Sequence, residues 1–186
     1  MGDRCWLQVT LHGQITSMRQ LAAVVMAFKA DSGFSDNMYG RTLDSRAAII
    51  GVIVRALNGN ENPEFTDDER NYANVEDVET ALQAAQVTYS VDHADGGGYA
   101  GACWCWQPGD TKHEAHQLGG GGGVAIEVWR LREALGKPEA LKAIEAMVES
   151  SERAQGRDIP AFSIACERVE RYLAKYQAME ALGVEP

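Results

Sequence analysis

Two alternating runs separated by a glycine-rich turn constrain this chain more than any other feature. Val87, Tyr89, Val91 and His93 alternate with Thr88, Ser90 and Asp92, and Ala100, Ala102, Trp104 and Trp106 alternate with Tyr99, Gly101, Cys103 and Cys105. A period of two is that of a pleated strand with two distinct faces. Asp95-Gly96-Gly97-Gly98 lies between the runs and permits the positive φ of a tight turn. The segment therefore predicts a β-hairpin, ended by Gln107-Pro108-Gly109-Asp110.

The N-terminal residues repeat the pattern. Cys5, Leu7, Val9 and Leu11 alternate with Trp6, Gln8, Thr10 and His12, predicting a first strand over 4–12. Elsewhere the apolar spacing is helical. Thr16 or Ser17 caps a helix carrying Met18, Leu21, Ala22, Val25 and Phe28, closed by Gly33, and Asp44 or Ser45 caps a second one running to about Leu57. That second helix is apolar nearly all round, as a buried helix is, and Asn58-Gly59 offers a left-handed stop. Thr66 and Glu69 fit a capping box, so 66 onward reads as helix, with a second start at Asn74 and Asp77. After Gly119–Gly123 the spacing predicts helices over 124–135 and from Pro138. A last helix is expected from Asp158 and Pro160, with Phe162, Val169, Tyr172, Tyr176 and Met179 as its core face and Gly183 as its stop.

These elements predict an α+β fold: a small antiparallel sheet of about three strands, the central hairpin among them, covered by helices, with a helical C-terminal part. Residues 1–118 would form the α+β domain and 124–186 the helical part, joined by the glycine-rich loop 119–123 or folded with it into one compact unit. A chain of 186 residues can bury roughly 70 % of its unfolded surface, enough for a core without disulfides or metals. No apolar run approaches the length of a membrane span, and the N-terminus has no secretory pattern, so a cytoplasmic protein with reduced cysteines is expected.

Charge is unevenly placed. The chain has 27 acidic and 17 basic side chains, a net of −10. Residues 56–128 hold thirteen acids against Arg70 and Lys112, so this segment carries −11 and the remainder +1. A field of this kind repels polyanions and steers basic partners, so direct nucleic-acid binding is disfavoured and a basic protein surface is the natural partner. The expected partner-binding residues are Glu61, Glu64, Asp67, Asp68, Glu69, Glu76, Asp77, Glu79, Asp92 and Asp95, with Trp104 and Trp106 as aromatic anchors if they face outward and core if they face inward. Several of these acids have a second explanation, as carboxylates favoured in the first turn of a helix or on a solvated face.

The leading expectation is a non-enzymatic inhibitor that occupies the nucleic-acid-binding surface of a partner. In charge and size alone it is similar to phage-encoded inhibitors of restriction and CRISPR systems. No cofactor is expected.

The alternative is a small metal-dependent enzyme or zinc-binding protein. Cys103, Cys105, His113 and His116 supply two thiols and two imidazoles, the donor set of tetrahedral zinc, although one residue between the cysteines is fewer than fingers and ribbons use. His93, within Asp92-His93-x-Asp95, could join such a site. A Cys103 nucleophile with His113 or His116 as base lacks the positive surroundings that stabilise a thiolate. The glycines at 119–123 and at 96, 98 and 101 lack the strand-to-helix context of nucleotide loops. A third reading, a subunit that pairs through its last helix, competes with that helix using the same face as core.

Overall fold

A computed structural model describes residues 4–31, 33–36, 42–96, 98–111, 114–119 and 123–182. The fold is α+β. In chain order the elements are β1 (Arg4–His12), β2 (Gln14–Ile15), α1 (Met18–Ala30), β3 (Ser35–Asp36), α2 (Arg46–Gly59), β4 (Glu64–Asn71), α3 (Glu76–Ala84), β5 (Thr88–His93), β6 (Ala102–Trp106), β7 (His116–Gln117), α4 (Val128–Leu135), α5 (Ala140–Ala154), β8 (Ser163–Ile164) and α6 (Glu167–Ala181). Six strands form one antiparallel sheet in the order β3-β4-β1-β5-β6-β7, twice the expected number, and β2 pairs parallel with β8.

The sheet is larger than expected chiefly because the acidic run is a strand where it leaves Pro63. Only Phe65 in Glu64–Asn71 is apolar, too sparse a pattern to announce a strand, and the capping-box residues point to helix. The ladder decides otherwise. β4 lies between β1 and β3, Phe65 stacks on Phe28 with ring centroids 3.7 Å apart, and the Thr66 hydroxyl reaches Ser35 rather than a helix amide.

Local signals place the first two helices well. Ser17 accepts from the Gln20 amide to cap α1, and Ser45 accepts from the Ala48 amide to cap α2. α2 runs past Asn58-Gly59 and stops at Asn60, which takes the left-handed conformation at φ 54°. The later helices start after their predicted positions. α4 begins at Val128 because Gln117 and Leu118 pair with Ala125 and Val124, the Ala125 amide donating to the Gln117 carbonyl and Leu118 bridging Val124. α5 begins two residues after Pro138. α6 begins at Glu167 because Ser163 and Ile164 are held by β2. The predicted stop at Gly183 lies outside the described residues.

One face of the sheet makes the core. Leu7, Val9, Leu11, Phe65, Tyr89, Val91, Trp104 and Trp106 meet Leu21, Val24, Phe28, Ile49, Ile50, Ile53, Val78 and Leu82 from α1, α2 and α3, and Phe162, Val169, Leu173 and Tyr176 join them from the C-terminal part. Tyr176 also donates to the Ala47 carbonyl at 2.6 Å. The apolar face of α6 is thus used inside the molecule, which removes it as a pairing surface. No helix among the described residues is long and apolar enough to cross a membrane.

Candidate functional site

The sheet's register distributes the acidic residues. Eight acids crowd into Glu61–Glu79, but β4 runs only from Glu64 to Asn71 and a strand rises about 3.3 Å per residue, so Glu64 and Asp68 stand about 13 Å apart along it, with Glu61 ahead of its first residue. Glu61 is exposed and Glu64 half-buried near the His12 end of β1. Asp68, Glu69, Glu76, Asp77 and Asp95 are exposed at the other end, where β1 begins, β4 and β5 finish and α3 starts.

Three of the remaining acids work inside the protein. Asp67 is 8 % exposed and accepts from Arg70 Nη1 at 3.3 Å. The same guanidinium donates to both oxygens of Asp31, from Nε to the Asn74 carbonyl, and lies 5.2 Å from the Phe34 ring centroid. Burial alone would raise the Asp31 carboxyl, but the hydrogen bonds and charge of Arg70 hold it below its ordinary range. Glu79 accepts from Tyr89 Oη at 2.8 Å and from Trp104 Nε1 at 2.7 Å. Asp92 sits on the far face of the sheet, where burial first and the Glu64 charge second push it up to about 6.

Trp104 and Trp106 are buried, with the second donating from Nε1 to the Asp110 carbonyl, so both are core and neither is a surface anchor. The exposed aromatics at the acidic end are Trp6 and Tyr72, 37 % and 61 % exposed. A β-bulge sets this geometry. Leu7 faces Asp67 and Cys5 faces Arg70, so Asp68 and Glu69 together oppose Trp6. Tyr72 and Ala73 then turn the chain in the left-handed conformation at φ 53° and 51°, unfavourable for side chains with a Cβ. Open clefts of about 550 Å³ beside Arg4, Asp68 and Glu69 and about 520 Å³ beside Trp6, Asp95 and Tyr99 flank the start of β1. Trp6 was legible in the sequence as a large residue on the polar side of its strand. Tyr72 carried no signal.

The far face of the sheet holds the remaining chemistry. The register aligns Ser35, Thr66, Gln8, Asp92, Cys103 and His116 in one row across all six strands. Neighbouring strands are about 4.8 Å apart, so the backbones of Asp92 and His116, two strands apart, are about 10 Å from one another. Among the described residues, no three His, Cys, Asp or Glu side chains are placed to hold a metal. Burial pushes the Cys103 and Cys105 thiols up to about 12, so both are protonated at neutral pH. His113 lies outside the described residues. His93 is buried on the core face while Asp92 points the opposite way, so the pleat separates the two side chains of the Asp92-His93-x-Asp95 string.

Two histidine–serine pairs occur on this face, and both have the wrong polarity for nucleophilic catalysis. The Phe162 amide donates to Asn62 Oδ1 at 2.7 Å, which turns the Asn62 amide nitrogen toward His12 Nδ1 at 3.1 Å. Nδ1 therefore accepts, and Nε2–H donates to Ser90 Oγ at 2.8 Å, leaving no basic nitrogen for the serine's proton. The second pair is His116 Nε2 and Ser150 Oγ, 3.0 Å apart, with the serine donating to Glu114 Oε2 at 3.3 Å. Here too the imidazole is the donor. This pair fastens β7 to α5 beside a cavity of about 340 Å³.

No protein-family model matches the chain, and no curated protein and no solved structure matches it either. The functional reading therefore rests on the geometry.

Proposed function

We propose that this protein is a non-enzymatic interaction module that docks its acidic sheet end onto a basic surface of a protein partner, one that otherwise handles nucleic acid, and so blocks it. The observation that carries this reading is the grouping of Asp68, Glu76, Asp77 and Asp95, with Glu69 paired to the exposed Arg4, around the exposed rings of Trp6 and Tyr72, while the nearby Arg70 is neutralised internally by Asp31 and Asp67. Carboxylates held on a strand end and a helix start imitate the spaced charges of a phosphate backbone without its flexibility. Long-range attraction accelerates encounter with Lys- and Arg-rich surfaces, and the aromatic rings supply apolar contact once docked. Glu61 and Glu64 add to the field from a distance and stay outside the contact.

The test is affinity capture from host lysate at low and high salt, with wild type beside the variant D68K/E69K/E76K/D77K. Recovery of a basic nucleic-acid-binding protein that is weakened by salt, abolished in the variant and displaced by duplex DNA supports the reading. Equal recovery by the variant removes it.

A further inference from the structure

We propose that the cavity between β7, α4 and α5 binds a small organic cation, a primary ammonium carried on a compact apolar body. Three stretches of chain build it. β7 pairs with β6 and sets His116 in the wall, and the Ala125 amide donates to the Gln117 carbonyl at 2.8 Å, which holds 125–127 beside β7. α5 adds Ala146, Met147 and Ser150 from one side of the helix. The space is about 340 Å³, at the small end of the range for ligand pockets. Ala125, Ile126, Ala146 and Met147 supply its apolar wall, and the Met147 thioether suits an aromatic ring.

What the polar wall lacks is donors. His116 Nε2–H donates to Ser150 Oγ at 3.0 Å, so Nδ1 carries the lone pair of the ring. That nitrogen accepts no hydrogen bond among the described residues, although the side chain is only 10 % exposed and lines this cavity and a smaller one of about 210 Å³. An unpaired acceptor in a ring so covered calls for a partner. Glu114 accepts from Ser150 through Oε2 alone, and the Glu127 carboxylate accepts nothing among the described residues. Arg130 lies 3.8 Å from Glu114 Oε1 and 3.7 Å from Glu127 Oε2, too far to donate to either. The smaller cavity shows the contrast: there Arg153 Nη2 donates to both Asp110 oxygens, at 2.7 and 2.8 Å. In the larger cavity two carboxylates face one guanidinium, a net of −1 with histidine neutral, and the open positions are all acceptors. An anion would set lone pairs against lone pairs. A metal ion lacks its ligand set, since no three His, Cys, Asp or Glu among the described residues are placed to hold one. An ammonium brings one positive charge and three donors, and its charge-assisted hydrogen bonds are the strong kind.

The experiment is a titration of the isotope-labelled chain, followed by amide proton–nitrogen NMR, with 2-phenylethylamine as probe beside its neutral and anionic counterparts, 2-phenylethanol and 3-phenylpropionate. Wild type is compared with E127Q, which removes one charge from an exposed side chain, and with A146F, which fills the cavity. The expected result is saturable shifts confined to 114–118, 125–130 and 146–151, with the alcohol and the acid bound at least about tenfold more weakly than the amine. E127Q should weaken the amine by about tenfold and A146F should abolish its binding. E127Q keeps the test decisive if A146F fails to fold. Absence of saturable shifts with the amine, equal or tighter binding of the acid or the alcohol, or variants that bind the amine as wild type does would each overturn the proposal. So would shifts centred on 68–77 and 95, which would show an amine drawn to carboxylates in general. Those residues belong to the acidic docking surface and take no part here, so either reading can fail without the other.

Discussion

His12 Nε2 lies 2.8 Å from Ser90 Oγ, and the hydrogen bond between them runs from imidazole to hydroxyl because Asn62 occupies the other ring nitrogen as a donor. The ring is therefore locked neutral. A second proton would have to sit on Nδ1, against the Asn62 amide hydrogens, in a site 5 % exposed where burial lowers the imidazole to about 4.

Two strand positions away on the same face, Asp92 has the opposite preference. Its folded value of about 6 is above the ordinary 3.8, so its contribution to stability is present below pH 3.8 and lost as pH rises through 6. The His12 contribution is present above pH 6.5 and lost as pH falls through 4. Each is on the order of 3 kcal/mol at 1.36 kcal/mol per pKa unit, and over pH 4–6 their slopes oppose each other. The Asp92→Asn variant should therefore lose stability, relative to wild type, as pH falls from 6.5 to 4. The His12→Gln variant should gain it over the same interval. Urea midpoints at pH 7, 5.5 and 4 check this, and variants that both parallel the wild type would refute the assignment.

Gly156 closes over the same imidazole. It has φ 69°, and a Cβ there would lie 2.7 Å from His12 Cε1. Both the backbone and the contact oppose a side chain, so Gly156→Ala should cost about 2 kcal/mol or more, read as a lowered thermal midpoint. His12→Ala should relieve part of that cost in the double variant and none of the φ strain. Strict additivity of the two substitutions would show that the ring is not the obstacle.

What could be read from the sequence was whatever a short window determines. The alternation of β1 and of the β5–β6 hairpin, and the Ser17 and Ser45 caps, depend on neighbours within a turn or a pleat, and each element formed within its pattern, β6 only from Ala102 rather than from Tyr99. β4 depends instead on β1 and β3, whose contacts outweigh the Thr66–Glu69 signal, and β2 and β8 consist of two residues each that exist only as partners across 149 positions. The site follows the same division. Net charge was legible, but its separation into an exposed acidic sheet end, a remote Glu61–Glu64 pair and interior acids such as Asp67, Glu79 and Asp92 required the strand order. The orientation of Trp104 and Trp106 was likewise a question only the packing of α1 and α3 could answer.

Arg70 is the one base in the acidic run and should be structurally essential. It is 15 % exposed and bound to Asp31 and Asp67, so Arg70→Met leaves two carboxylates in a partly buried site without a cation. A loss of about 3 kcal/mol is expected from the urea midpoint, with recovery of part of it in R70M/D31N/D67N. If the triple variant were no more stable than R70M, the carboxylates would not be the source of the penalty.

The cysteines should divide by burial. Cys5, Cys103 and Cys105 are buried, the latter two with thiols pushed up to about 12, whereas Cys166 is half-buried at the start of α6. Thiolate is the reactive form. At pH 8 an aromatic disulfide reagent should modify one thiol per folded chain, lost in Cys166→Ser, with the other three appearing only in denaturant. Added zinc should leave this count unchanged. Protection of Cys103 and Cys105 by one equivalent of zinc in the unfolding assay would instead favour the metal-binding reading, with His113 completing the set.

The proposed docking surface makes separate predictions for its rings and its charges. Trp6 is partly exposed on the sheet's polar side, so Trp6→Ala should change stability by about 0.5 kcal/mol or less while weakening capture of the partner by tenfold or more, chiefly through faster dissociation. Asp68→Lys with Glu69→Lys should act on the other rate. Steering depends on the summed field, so association should slow and lose much of its salt dependence, while dissociation changes less. Biolayer interferometry of wild type and both variants at two salt concentrations separates the two effects. An association rate indifferent to both salt and charge reversal would leave Asp68, Glu69 and their neighbours as an ordinary solvated surface, and the aromatic contact alone would have to account for any binding.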